Sequence, residues 1–206
     1  MDKPTLERKT QKKPIPYMGG LAIALTVTIL TFAAVIRSDN TQSTFPLAAE
    51  LLIPAIVLGA MGLIDDLIGL NPLPRLIAQT VVAVVATIYL ITSQTVGITM
   101  DQTILDEVIM AVWIVGLCNS INFFDNHDGG AAGTVAVSTM GIALIALGEG
   151  QELVSALAVV TAGATLGFLM WNKSPAKIYM GDAGALFLGV IVSVLTIRLN
   201  PGIAPQ

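Results

Sequence analysis

Leu51-Leu52-Ile53-Pro54-Ala55-Ile56-Val57-Leu58-Gly59-Ala60-Met61-Gly62-Leu63-Ile64-Asp65-Asp66 decides the class of fold. An uncharged, mostly aliphatic run leads without a break into two adjacent aspartates. It is too long for an ordinary buried strand and has no polar face of the kind a soluble amphipathic helix carries. Similar apolar segments fall at about 19–36, 47–64, 76–92, 107–124, 132–148, 153–171 and 184–199, and their middles hold no Asp, Glu, Lys or Arg. A charge at a helix centre costs about 2.5–3.5 kcal/mol on insertion scales. Seven clean centres therefore predict seven transmembrane helices.

Composition agrees. The 206 residues are 54% hydrophobic and 12% charged, with a mean hydropathy of +0.81, whereas a soluble domain is about a quarter charged. At about 20 residues per crossing, the length suits one integral-membrane domain over residues 1–206, an all-α polytopic helix bundle. The alternating pattern of an outer-membrane barrel is absent. No basic face suggests nucleic acid, and the single cysteine, Cys118, excludes an internal disulfide. The first 18 residues are polar and basic, unlike a cleavable signal peptide. They read as a cytoplasmic loop.

Parity orients the spans. With the N-terminus inside, Lys3, Arg8, Lys9, Lys12, Lys13, Arg75, Lys173 and Lys177 are cytoplasmic, and only Arg37 and Arg198 lie outside. Eight against two obeys the positive-inside rule. Asp39, Glu50, Asp101, Asp106, Glu107, Glu149 and Glu152 then lie outside and read as solvated loop charges.

Of the seven acids left inside, Asp2 and Glu7 lie in the first loop and five sit at three cytoplasmic helix ends. Asp65 and Asp66 close the second span, before Arg75 and Gln79. Asn119, Asn122 and Asp125 recur every third residue, near enough to one helical face to converge, with His127 and Asp128 following and Gly129 and Gly130 able to turn the chain. Asp182 lies between Gly181 and Gly184, after Asn172, Lys173, Lys177 and Tyr179. Amide and carboxylate oxygens suit Mg²⁺, with waters and phosphates completing its shell. Lys177 and Lys173 read either as phosphate contacts or as membrane anchors, and the Arg8–Lys13 run either as the basic side of a phosphate site or as a patch on anionic lipid. Oxygen ligands, cations and an opening to the bilayer together suit phosphoryl transfer from a soluble donor to a lipid acceptor. A transporter would instead place acids inside its spans.

At these residues the chain resembles the polyprenyl-phosphate N-acetylhexosamine-1-phosphate transferase superfamily (the WecA/TagO/MraY group, glycosyltransferase family 4). Asp2-Lys3-Pro4 with Arg8-Lys9 and Pro14 to Gly20 resembles its first cytoplasmic loop. Gly62 to Leu70 with Arg75 and Gln79 resembles its double-aspartate motif. Asn119 to Gly133 resembles its Asn-x-x-Asn-x-x-Asp stretch, and Asn172 with Lys177 to Gly189 its Gly-Asp segment. The Arg-Lys loop and the stretch Gly69 to Arg75 look closer to the WecA/TagO branch than to the MraY branch.

The resemblance implies transfer of a sugar-1-phosphate, N-acetylhexosamine-1-phosphate above all, from a UDP-sugar to undecaprenyl phosphate for cell-envelope glycan synthesis. The products are a polyprenyl-pyrophosphoryl-sugar and UMP. It implies a Mg²⁺-dependent phosphoglycosyltransferase, with Mn²⁺ as a substitute ion. The enzyme would sit in the bacterial cytoplasmic membrane with its active face inside, and a homodimer is one assembly the family allows. Carried over by motif, the catalytic set is Asp65, Asp66, Asp125 and Asp128. The metal set is Asp182 with Asn122 and Asp125. Asn119, Asn172, Tyr179, Lys177, Arg75, Lys9 and His127 form the substrate-binding set. Asp65 is the family's proposed base or phosphate orienter, although a lipid phosphate is largely ionised at neutral pH and a dedicated base is dispensable.

Three departures stand out. His127 takes a position where an apolar residue is common, Ala185 replaces the usual serine, and the chain is short. Family members carry a helical hairpin before the first motif and a histidine-rich cytoplasmic loop after the last. The chain is therefore read as truncated at both ends. The alternative function is an inactive paralogue or fragment that binds lipid phosphate or a partner subunit.

Overall fold

A computed structural model describes residues 15–38, 41–100 and 102–201. Among the described residues there are seven long helices and no extended sheet: α1 (Gly19–Arg37), α2 (Thr41–Ile68), α3 (Pro72–Thr92), α4 (Thr103–Phe124), α5 (Gly130–Gly148), α6 (Glu152–Asn172) and α7 (Gly181–Arg198). All seven are long and apolar enough to cross a membrane. Six have 18–22 residues, or about 27–33 Å at 1.5 Å per residue, which matches a hydrocarbon core about 30 Å thick. The all-α polytopic bundle is as expected.

The helices overrun the apolar segments. Pro72 and Pro74 open α3, where missing N–H groups cost little. The 28-residue α2 absorbs Pro46 and Pro54 and carries Asp65 and Asp66 within its last turn. It is long enough to bring those aspartates to the start of α7.

Helix α7 is the axis of the bundle. In its most apolar stretch 72% of residues are buried, against 28–44% in the other six helices. It packs chiefly on α2 and α4, while α5 packs on α6 and α3 on α4. Close approach needs small residues. A Cβ on Gly62 of α2 would overlap the Asp182 carbonyl, and one on Gly189 of α7 would overlap the Cys118 backbone. Cys118 is fully buried at that crossing, so it serves packing.

Two acids expected in solvated loops are not there. Glu50 and Asp106 are buried, at 8% and 6% exposure. Glu50 lies two and a half turns inside the long α2 and finds polar partners just past the end of α3 and on α7. Asp106 accepts from the backbone N–H groups of Met100 and Gln102, at 2.9 and 3.3 Å, and so ties down the turn before α4.

Candidate active site

The ends of α2, α3 and α4 meet the start of α7, and their polar residues form one network. Arg75, in the first turn of α3, donates from Nη1 to Asp65 Oδ2 at 2.8 Å and to Asp182 Oδ2 at 2.9 Å. Its Nη2 reaches Asn122 Oδ1 at 3.5 Å. Asn122 in turn donates its amide to Asp182 Oδ1. Asp65 Oδ1 accepts from the Leu70 N–H at 2.6 Å, which folds the α2–α3 turn over its carboxylate. One guanidinium thus gathers oxygens from three helices, a use of its planar fork that lysine cannot reproduce.

Asp66 has a different task. Adjacent helical residues point about 100° apart, and Asp66 faces the start of α7. Its Oδ1 accepts from the Asp182 N–H at 3.0 Å and its Oδ2 from the Ala183 N–H at 3.1 Å. Asp125 Oδ2 accepts from the Gly181 N–H at 3.1 Å. Two carboxylates therefore satisfy three of the unpaired amides that every helix start leaves, at its positive dipole end. Gly181, at φ +78°, turns the chain into α7, and a Cβ there would press on Asp66 Oδ2 at 2.7 Å. Tyr17 donates its hydroxyl to the Asp66 carbonyl at 3.1 Å.

Asp125 is the strained member. Its Oδ1 is buried without a hydrogen-bond partner among the described side-chain atoms. Burial pushes its carboxyl up to about 7, and the Asp182 and Asp66 charges add to the rise.

The remaining expected residues divide. Asn119 Nδ2 donates to Gln79 Oε1 at 2.7 Å, one turn deeper than Asn122. Asn172 is 1% exposed and spends its amide on the backbone: Oδ1 accepts from Gly129 N–H at 3.0 Å and Nδ2 donates to Ile178 carbonyl at 2.9 Å. Asp128 is exposed, and its Oδ2 accepts from Ala176 N–H at 3.0 Å. These two residues stitch the turn after α4 to the loop before α7. Tyr179 lies half-buried in that loop, where its N–H meets the Pro16 carbonyl at 2.9 Å. His127 is exposed on the turn. Lys177 points elsewhere, with Nζ 5.5 Å from the centre of the Trp171 ring. Lys9 lies outside the described residues.

Gln79 and Tyr17 join the network although neither was among the expected site residues. Gln79 had a readable signal, because it stands four residues after Arg75 on α3 and so shares its face. Tyr17 had none beyond its place in the first motif.

The donor set suits a small hard cation. Asp182, Asn122 and Asp125 offer carboxylate and amide oxygens, and Asp125 Oδ1 is a buried oxygen with no partner. Among the described residues, no three acidic, histidine or cysteine side chains surround a point by themselves.

Residues 48–200 match the profile of Glycosyl transferase family 4. The chain is 34% identical to a probable undecaprenyl-phosphate N-acetylglucosaminyl 1-phosphate transferase of Bacillus subtilis, over 96% of this chain and 54% of the relative. It is 30% identical to a phospho-N-acetylmuramoyl-pentapeptide-transferase of Staphylococcus carnosus, over 94% of this chain and 65% of the relative. With the same-named protein of Enterococcus hirae it shares 33% identity, over 92% of this chain and 63% of the relative. The chain thus spans between about half and just under two thirds of the length of these relatives.

Proposed function

The chain belongs to glycosyl transferase family 4, and from that premise we propose that this multi-pass membrane protein transfers a sugar-1-phosphate from UDP-N-acetylglucosamine to undecaprenyl phosphate. The observation that carries the reading is Arg75, held between Asp65 and Asp182 and 23% exposed, where three helix ends open at one face of the bundle. A guanidinium so placed offers two-point recognition to a phosphate entering along the membrane surface. The face would be cytoplasmic, where UDP-sugars are made.

In the reaction an oxygen of the acceptor phosphate attacks the sugar-bearing phosphorus of the donor. A new phosphorus–oxygen bond forms as the bond to UMP breaks, and UMP leaves with the electron pair. The acceptor is largely ionised at neutral pH, so no residue must remove a proton. Arg75 binds and orients the acceptor phosphate. Asp65 is a positioning residue that fixes the guanidinium. Asp66 holds the α7 start, and with it the Asp182 carboxylate. Asp182, Asn122 and Asp125 would hold Mg²⁺, which when bound neutralises charge on the pyrophosphate. Asp128, Asn172 and Tyr179 shape the loop beside it, where Tyr179 would stack on uracil.

N-acetylglucosamine is preferred over the muramoyl-pentapeptide because the Gly69–Arg75 turn resembles the WecA/TagO branch. The test is the purified chain in nanodiscs containing undecaprenyl phosphate and Mg²⁺, with either labelled donor. Labelled lipid and UMP from UDP-N-acetylglucosamine are expected. Turnover of only the muramoyl donor overturns the sugar. No product from either, while the Bacillus subtilis relative works alongside, overturns transfer and favours a binding role without turnover.

A further inference from the structure

The glycines of this bundle fall into two groups. At Gly20, Gly62, Gly184 and Gly189 an added Cβ would collide with a neighbouring helix. At Gly163 and Gly167, one turn apart on α6, it would meet nothing within 4 Å. Gly116, Gly133, Gly141 and Gly148 are equally open; what sets Gly163 and Gly167 apart is the groove they share. Both line a groove of about 920 Å³ between α1 and α6, with Ala22 and Thr26 on its other wall. The volume lies in the upper part of the usual range for ligand sites, about 300–1,000 Å³.

Three further features describe the occupant. Among the described residues the groove is apolar along its length, with Lys177 the one charged residue in its lining. Lys177 sits at the rim with its ammonium over the Trp171 ring, and Trp171 is 59% exposed. An exposed indole beside a lysine at a helix end marks the headgroup level of a bilayer. Finally, the groove follows α6 from Trp171 to Val160, or about 16 Å at 1.5 Å per residue. That is half of a hydrocarbon core about 30 Å thick, the depth of one leaflet. Beyond Val160 a second cavity continues between the same two helices as far as Glu152, its one charged lining residue among the described residues, so only the Lys177 end suits an anionic headgroup.

We infer that the α1–α6 groove is a binding site for an anionic phospholipid of the leaflet at the Lys177 end, with its acyl chain along Gly163 and Gly167 and its phosphate on Lys177. The site is separate from the Arg75 network, and Lys177 serves it rather than the sugar donor. It depends on membrane insertion alone, not on the proposed transfer.

Trp171 reports on the site directly. In the full chain carrying Trp113→Phe, Trp171 is the only indole. Its emission is measured in phosphatidylcholine nanodiscs containing a minor fraction of chain-brominated phosphatidylglycerol or, separately, the same fraction of chain-brominated phosphatidylcholine. A basic residue near a membrane surface favours anionic lipid about fivefold, so brominated phosphatidylglycerol should quench at about a fifth of the concentration needed for phosphatidylcholine. Lys177→Gln should remove the preference. Gly163→Leu, whose side chain projects into open space and leaves Lys177 untouched, should remove it too. Equal quenching by the two lipids overturns the proposal. So does a preference that survives in Lys177→Gln, and one that survives in Gly163→Leu would reduce the site to a surface charge. Protection of Trp171 from both lipids would mean that a protein segment fills the groove, and would overturn it as well.

Discussion

At one end of the α2–α7 pair, Glu50 meets Arg198; at the other, Asp65 and Asp182 share Arg75. The ingredients are nearly the same, carboxylates and a guanidinium between packed helices. At the first end the side chains are 3% and 10% exposed. Glu50 Oε1 accepts from the Ser93 and Thr95 hydroxyls, both at 2.7 Å, and Oε2 accepts from Arg198 Nη1 at 3.3 Å. Both carboxylate oxygens are used and water is shut out, although the buried Arg198 Nε has no hydrogen-bond partner among the described residues. At the second end Arg75 and Asp182 are 23% and 27% exposed, and Asp125 keeps an oxygen without a partner. The closed cluster can only join helices. The open one retains capacity for a ligand.

The comparison breaks first if the closed cluster is not a clamp. Glu50→Ala leaves Arg198 charged and buried, and should cost about 3–5 kcal/mol of stability in detergent, read from a denaturant titration. Removing both charges with Glu50→Leu and Arg198→Met should restore most of that loss, because the desolvation penalty goes with them. A loss below about 1 kcal/mol in the single variant, typical of an exposed pair, would dissolve the distinction.

The open cluster should behave in the opposite way. Asp182→Asn keeps the shape and the Asn122 and Arg75 neighbours but removes the charge. Transfer should fall about 10²–10³-fold, the usual cost of one aligned electrostatic group, while the melting midpoint stays near that of the parent. If Asp182→Asn melts as early as Glu50→Ala, both ends are structural.

Why one end was readable in advance and the other was not follows from range. The seven spans are a local property of hydropathy, and loop parity alone brought Asp65, Asp125 and Asp182 to one face. The Glu50–Arg198 pair joins residues 148 positions apart, and nothing near Glu50 in sequence announces its partner, so it read as a loop charge. Asp65 and Asp66 were legible as a pair but not as two roles. Their 100° separation on α2 matters only once α7 is known to stand against one of them. Asn172 had the chemistry to meet a nucleotide base, and only the folded loops give its amide to Gly129 and Ile178. Gly163 and Gly167 are helical glycines like Gly62 and Gly189, and the sequence does not tell the open pair from the packed one. The difference lies in which helix, if any, stands opposite.

That division within the aspartate pair gives a sharper test. Asp66→Asn replaces a two-oxygen acceptor with one oxygen and one donor, and the donor must face an α7 amide N–H. Losing a helix-start acceptor costs about 0.5–2 kcal/mol, so Asp66→Asn should lower the melting midpoint as well as transfer. Asp65→Asn should lower transfer with a smaller thermal change, because Arg75 keeps Asp182. Equal thermal shifts in the two variants would contradict separate roles.

The smallest effect concerns protons. Asp125 is raised by burial to about 7, so the folded protein without metal favours its neutral form. That contribution to stability is full below the ordinary carboxylate value of 3.8, and is lost as pH rises through about 7. The metal-free melting midpoint should therefore fall between about pH 4 and pH 7 and level off above that, and Asp125→Asn should flatten the fall. A cation competes with the same proton, so apparent Mg²⁺ affinity, read from the thermal shift on titration, should rise about tenfold between about pH 6 and pH 8. The two trends run in opposite directions in one protein, which separates Asp125 from a general effect of pH on the bundle. Glu50→Gln, which leaves Asp125 in place, should change neither trend in the same experiment. A Mg²⁺ affinity indifferent to pH would leave Asp125 as a helix-capping carboxylate like Asp66, and would move the ion onto Asp182 and Asn122 alone.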